Sequence, residues 1–76
     1  MDALEKLGYK LHDDKKEYAV RVYDNGVGTT ISFYDYVNYD GKTKRSVEKL
    51  RHKSCDEFTY EELLACAEVI KEEEIK

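Results

Sequence analysis

The 76-residue sequence contains no proline and no tryptophan, and it has only four glycines, two cysteines and one methionine. It lacks any apolar run near the roughly 18 residues that a membrane-spanning helix needs, so no membrane segment is expected. Its start shows no basic segment followed by an apolar one, which predicts no signal peptide and a cytoplasmic location. In that compartment Cys55 and Cys66 are expected to be free thiols.

Sequence patterns that carry catalysis or hold a metal are also missing. Gly26 and Gly28 lie in a turn pattern, not in a phosphate-binding loop that leads into a helix. His52 and Cys55 are the one closely spaced Cys/His pair, and spacing alone does not supply the third, orienting group that nucleophilic catalysis needs. With Cys66 they could supply three metal ligands, but paired spacings such as two CxxC motifs are absent. We therefore expect no enzyme activity, no metal and no cofactor.

The composition predicts one domain that spans residues 1–76. Its apolar fraction of 41% is enough for a core, and its charged fraction of 39% is high. Residues 42–53 carry six Lys/Arg and one Asp/Glu, whereas residues 54–76 carry two and eight. A basic strip and an acidic end are therefore expected on the surface.

Two segments of alternating polarity predict a β-hairpin between Glu17 and Asn38. Asn25-Gly26 lies between them and favours a two-residue type I′ turn, which would pair Val20 with Ile31. A longer turn that uses Gly28 would keep the same faces if the register moved by two. The predicted core face consists of Tyr18, Val20, Val22, Ile31 and Phe33. The predicted exposed face consists of Arg21, Tyr23, Ser32, Tyr34 and Tyr36.

A second turn signal, Asp40-Gly41, predicts a third strand from Lys42 to Leu50. This strand is rich in Lys and Arg, which is typical of a sheet edge. The turn would place Arg45 opposite Tyr36, where its guanidinium could stack on the ring. A short strand from Tyr9 to His12 would bring the sheet to four strands.

The last segment has the signature of a helix. Thr59 and Glu62 match a capping box, and Phe58 and Leu63 stand at the hydrophobic-staple positions. The apolar stripe of this helix is predicted to consist of Leu63, Cys66, Ala67 and Ile70. Cys66 would then act as a small hydrophobic residue. The expected fold is α+β, a small antiparallel meander of three to four strands with a C-terminal helix packed on one face.

The segments LEKLGY at residues 4–9 and FTYEELLA at residues 58–65 flank tyrosine-rich strands. Together they resemble small accessory proteins encoded by phages and prophages of Gram-positive bacteria, many of which run ELGY and end in an IT-x-EEL-x-AI helix. Members often finish in a Leu-Gly-Trp-like tail, whereas this chain finishes in KEEEIK. The resemblance implies an accessory role in phage–host conflict or phage regulation within the host cytoplasm, and it supplies no catalytic residues.

The exposed sheet face is the expected working surface, because tyrosine and arginine dominate protein interfaces. We expect it to bind, and to inhibit, a host or phage protein such as a defence or nucleic-acid-processing factor. Exposed tyrosines also raise strand propensity, and two copies meeting through this face would form a homodimer. The candidate binding residues are Arg21, Tyr23, Tyr34, Tyr36, Tyr39 and Arg45.

Nucleic-acid binding is the main alternative, with phosphates on the cations and bases stacked on the tyrosines. The acidic balance of the whole chain, and ion pairing of the strip with the acidic helix, count against it. A further alternative is that Asp24, Asp35, Asp40 and the helix glutamates imitate nucleic-acid phosphates. The candidate residues of the basic strip are Lys42, Lys44, Arg45, Lys49, Arg51 and Lys53.

Overall fold

The computed structural model describes residues 1–12 and 19–74, with side chains as far as residue 72. In chain order the elements are α1 (Ala3–Lys6), β1 (Lys10–Leu11), β2 (Ala19–Asp24), β3 (Thr29–Val37), β4 (Thr43–Arg51), β5 (Ser54–Cys55) and α2 (Tyr60–Glu74). The strands form one antiparallel sheet in the order β1-β2-β3-β4-β5. This confirms the predicted α+β meander with a C-terminal helix, and the described sheet has five strands instead of three or four.

The register of β2 against β3 differs from the one that a two-residue turn would set. Tyr23 pairs with Ile31, so that the connection is longer than Asn25-Gly26. The Asn25 side chain accepts hydrogen bonds from the amides of Val27 and Thr29, at 2.9 and 3.1 Å, and these bonds close the longer loop. The observed register is shifted by three residues from the predicted one. Because three is an odd number, the two faces of β2 exchange relative to β3.

The exchange reverses the predicted faces of β2, although Val22 is buried on its new face. Tyr23 joins Ile31 and Phe33 on the face that α1 and α2 cover, hereafter the helix-bearing face, and it is fully buried. Val22 pairs with Ser32 on the opposite face. The prediction that Val20 and Val22 share the core face with Ile31 is therefore wrong. Val20 lies at a bulge, where the register of β2 shifts between Ala19 and Arg21, and the predicted strand residues Glu17 and Tyr18 lie outside the described residues.

The β3–β4 hairpin is one residue out of its predicted register. Asp35 pairs with Arg45, and Tyr36 pairs with Lys44. The amide of Asn38 donates to the carbonyl of Lys42 at 2.8 Å, which leaves a three-residue loop in place of a two-residue turn. A shift of one residue moves Arg45 from the face of Tyr36 to the helix-bearing face.

The core lies between the helix-bearing face and the two helices. Tyr23 packs edge-on against Phe33, with ring centroids 5.8 Å apart, and its hydroxyl donates to Asp2 at 2.6 Å. The same aspartate caps α1, because it also accepts a hydrogen bond from the Glu5 amide. The buried core cluster is Leu4, Tyr9, Tyr23, Ile31, Phe33, Ala65, Cys66 and Val69.

Helix α2 is rotated about its axis from the predicted orientation. Cys66 is buried as expected, but Leu63 and Ala67 are exposed. The rotation follows from Glu62, whose carboxylate is held inside the protein by the Tyr9 hydroxyl. With Glu62 turned inward, Ala65 and Val69 on the same side of the helix pack against the core. The prediction used only the apolar residues of the helix, so it did not place Glu62 on the buried side.

The turn between β4 and β5 is built from two residues that rarely take its backbone conformation. Arg51 pairs with Ser54, and the residues between them, His52 and Lys53, have φ of 51° and 68°. The left-handed region strains any residue with a Cβ. We expect Lys53→Gly to raise the free energy of unfolding by about 0.5–1 kcal/mol, measured by urea denaturation. Lys10→Gly, in a strand, is the control and should lower it; a loss of stability in Lys53→Gly would contradict the strain.

Candidate functional site

Large side chains are exposed close together at the end of the β3–β4 hairpin, which we define as residues 35–45. The described part of β2 reaches only as far as Tyr34. Beyond that point Tyr36 is 50% exposed, Val37 is 70% exposed and Tyr39 is fully exposed. Three large side chains within four residues thus face solvent at one place.

The backbone of the hairpin end is held by local hydrogen bonds. The Gly41 amide donates to the carbonyl of Asn38 at 2.9 Å, and the Lys42 amide donates to the carboxylate of Asp40 at 2.9 Å. Across the strands, the guanidinium of Arg45 donates twice to Asp35, at 2.7 and 2.9 Å. These hydrogen bonds hold the pKa of Asp35 below its usual value. The exposed side chains therefore stand on an ordered support.

The structure separates the residues that were predicted to form one binding face. Tyr34 and Tyr36 lie on the face opposite the helices, and Tyr39 lies in the loop. Tyr23 is buried in the core, where Arg21 donates to its hydroxyl at 3.1 Å. Arg21, Tyr23 and Arg45 all lie on the helix-bearing face, so their placement beside Tyr34 and Tyr36 is wrong. The physical reason is the pair of odd register shifts.

The predicted basic strip is likewise divided between two faces. Alternation along β4 places Lys44 on one face and Arg45, Lys49 and Arg51 on the other. Lys42 and Lys53 occupy the turns at the two ends of β4. Lys49 is held by acidic groups, as was expected for the strip as a whole, and its side chain is only 9% exposed. Lys42 and Lys44 are the cations that lie beside the exposed tyrosines.

A buried polar cluster joins α2 to the sheet through Glu62. The hydroxyl of Tyr9 donates to one carboxylate oxygen at 2.7 Å, and Lys49 donates to the other at 2.8 Å. The Thr59 amide donates to the same oxygen as Lys49, at 2.8 Å, while the Thr59 hydroxyl accepts from the Glu62 amide. These two bonds confirm the predicted capping box. Lys49 also lies 3.7 Å from Asp56.

This cluster is unsuited to acid–base chemistry near neutral pH. Burial raises the pKa of Glu62, but the hydrogen bonds from Lys49, the Thr59 amide and Tyr9 outweigh it and lower the pKa to about 2. Burial, together with the Glu62 carboxylate, raises the pKa of Tyr9 above its usual value. Both groups therefore keep one protonation state across the physiological range, and the cluster acts as a structural link.

The two cysteines lie in different surroundings. Burial, and then the charge of Glu62, raises the pKa of Cys66 to about 11, so its thiol stays protonated. Cys55 is exposed in β5. Within residues 1–12 and 19–74, no group of three His, Cys, Asp or Glu side chains is arranged to hold a metal ion.

The structure also bears on the membrane prediction. Among the helices it describes, none is long and apolar enough to cross a bilayer. Comparisons with known proteins give no further guide, because no family model, curated protein or solved structure matches the chain significantly.

Proposed function

We propose that the protein binds another protein through the end of its β3–β4 hairpin. The observation that carries this proposal is the exposure of Tyr36, Val37 and Tyr39 within four residues. Tyrosine gives a large, rigid and amphipathic contact area at low cost in side-chain entropy. Segments at loop tips are also where binding residues concentrate, because they can reach a partner without disturbing the core.

Two features suit the hairpin end to this role. Its backbone is ordered by the turn hydrogen bonds and by the Asp35–Arg45 pair, so that little ordering is needed on binding. Lys42 and Lys44 flank the tyrosines, while the carboxylate of Asp35 is neutralised by Arg45. The surface of the partner that complements the hairpin end is therefore an apolar pocket with acidic groups at its rim.

The action of such a protein is occlusion of a surface on its partner. This requires no catalytic group, in keeping with the fixed protonation of Glu62 and Cys66. The resemblance of residues 4–9 and 58–65 to phage accessory proteins supports a host or phage protein as the partner. Inhibition of that partner is the proposed outcome.

The double variant Tyr36→Ser/Tyr39→Ser tests this function. Truncating two interface tyrosines should weaken binding at least 30-fold, which corresponds to about 2 kcal/mol. The partner would first be identified by placing a photo-crosslinking amino acid at position 39 in cells, with position 27 as the comparison. Affinity of the purified pair would then be measured by calorimetry.

Val27→Ser is the matched control, because Val27 is 73% exposed but lies in the β2–β3 loop. This variant should bind like the wild type. A double tyrosine variant that is folded, as judged by circular dichroism, and still binds with wild-type affinity would refute the proposal.

Nucleic-acid binding is the second candidate function, and the register supports it at one place. Lys44 stands directly opposite Tyr36, on the same face, so a phosphate and a base could be held together there. Retention on an oligonucleotide column that falls steeply with salt would favour this function. Protein binding through the tyrosines should depend only weakly on salt.

A further inference from the structure

Helix α2 has a second apolar side, which faces solvent. Tyr60, Leu63 and Leu64 are 71%, 53% and 50% exposed, and Ala67 is exposed beside them. Their spacing places them along one side of the helix, away from the core side that carries Ala65, Cys66 and Val69. We call Tyr60, Leu63, Leu64 and Ala67 the outer strip of α2.

The outer strip continues onto α1. Leu7 is 43% exposed, and it lines, with Leu64 and Ala65, a shallow groove of about 300 Å³ between the two helices. The groove walls are mainly apolar, with charged groups at the rim. A contiguous apolar surface of this kind marks a docking site more often than scattered single residues do.

The outer strip has the spacing of a helix–helix seam. Tyr60, Leu64, Ala67 and Lys71 follow one another at intervals of four, three and four residues. This is the pattern by which two helices pack along each other, with side chains of one fitting between those of the other. The small side chain of Ala67 lets the two backbones approach closely at that point.

The charges along the seam are self-complementary when the second helix runs antiparallel. Suppose that a two-fold axis passes by Leu64. Glu68 is four positions after Leu64 and Tyr60 is four positions before it, so Glu68 of one copy lies opposite Tyr60 of the other. The Tyr60 hydroxyl can donate to that carboxylate. Lys71 then reaches the start of the other helix, where Glu61 lies in the first turn and Glu57 precedes it. Symmetry forms each pairing twice.

The groups of this arrangement are available for it. Glu57, Glu61, Glu68 and Lys71 are exposed. Their side-chain charges form no ion pair with any other group in the described part of the chain. The charged residues that flank the outer strip are of both signs, so Lys71 of one copy can meet Glu57 and Glu61 of a second copy, whereas a uniformly basic helix would set its own cations against Lys71.

We propose that a second copy of this chain docks on the outer strip of α2, giving a two-fold homodimer with antiparallel α2 helices. This interface uses no residue of the hairpin end and is independent of the proposed partner binding. It also differs from a dimer through the sheet face, because it leaves Tyr34 and Tyr36 free.

Leu64→Glu is the first test. The substitution sets two carboxylates against each other at the axis, and the dimer dissociation constant should rise at least 100-fold. By sedimentation equilibrium the wild type should have twice the chain mass of 8.9 kDa, and the variant should have the single mass. Leu64 is half exposed, so the variant should keep its fold. Val27→Glu, a matched exposed apolar position, should remain dimeric.

A charge exchange tests the antiparallel arrangement itself. Lys71→Glu alone, and Glu57→Lys/Glu61→Lys alone, should each weaken self-association about 10-fold, since each gathers like charges at both ends of the seam. When the two variants are mixed they should form heterodimers with near wild-type affinity. A wild type that stays monomeric at millimolar concentration would overturn the proposal, as would a dimer that Leu64→Glu leaves intact. Variants that fail to recover on mixing would overturn the antiparallel register.

Discussion

Glu62→Ala should lower the free energy of unfolding by about 3 kcal/mol at neutral pH. The substitution takes the Glu62 carboxylate away from three donors: the Tyr9 hydroxyl, the Lys49 ammonium group and the Thr59 amide. Lys49 is 9% exposed at its side chain, so its charge would remain buried, with the Glu57 carbonyl at 2.9 Å and the Asp56 carboxylate at 3.7 Å as its remaining neighbours. Urea denaturation of the variant and the wild type measures the difference.

Glu72→Ala is the matched control, because Glu72 is an exposed glutamate on the same helix. It should leave stability unchanged or raise it slightly, since a negative charge near a helix C-terminus is unfavourable. Glu62→Gln keeps an oxygen for Lys49 and should cost less than Glu62→Ala. The double variant Glu62→Gln/Lys49→Met should lose less stability than the sum of the losses from the two single variants, because it also removes the buried charge of Lys49. Equal losses from Glu62→Ala and Glu72→Ala would contradict the role of the cluster.

The same carboxylate gives stability a defined dependence on pH. Its pKa is about 2 in the folded protein against 4.5 for an ordinary glutamate, so the folded state binds a proton less readily than the unfolded chain. Its contribution is therefore complete above about pH 4.5 and is lost as the pH falls towards 2. The wild type should lose its advantage over Glu62→Gln across this window, as measured by urea denaturation at stepped pH. Parallel curves for the two proteins would show that another group governs the acid transition.

Tyr23→Ala should lower the free energy of unfolding by about 4 kcal/mol, which is a large share of the stability of a domain this small. Tyr23 is fully buried, packs against Phe33 and donates its hydroxyl to Asp2. Tyr36→Ala, at a half-exposed tyrosine of the opposite face, should cost less than about 1 kcal/mol. Thermal and urea unfolding of the two variants compare them directly. In the register of a two-residue Asn25-Gly26 turn both tyrosines would lie on the exposed face and both changes would be mild, so this pair also tests the register.

Features that depend on a few neighbouring residues were predictable from the sequence. The capping box of Thr59 and Glu62 formed as predicted. Asn25-Gly26 correctly indicated a hairpin. The turn rule nevertheless gave the wrong register, because the Asn25 side chain bonds two amides further along and closes a longer loop. Strand faces depend on parity, so this one local difference exchanged Val22 and Tyr23.

Of the predicted binding residues, the sequence correctly placed the two tyrosines at the hairpin end, which lie far from the helices. Tyr36 and Tyr39 are exposed as expected, since the hairpin end carries them past the described part of β2. The Tyr9–Glu62 hydrogen bond joins residues 53 positions apart, and no pattern in the sequence pairs them. The rotation of α2 follows from that bond. Two residues of the outer strip of α2, Leu63 and Ala67, were therefore predicted to face the core.

The separation of the hairpin end from the core affects how this protein can change over generations. Tyr36, Val37 and Tyr39 contribute nothing to the buried cluster, which stands on other residues. Under the proposed function, substitutions at these three positions alter what is bound while the folded population stays nearly constant. A lineage in contest with a changing target can therefore explore new specificities one residue at a time, and each intermediate protein remains folded.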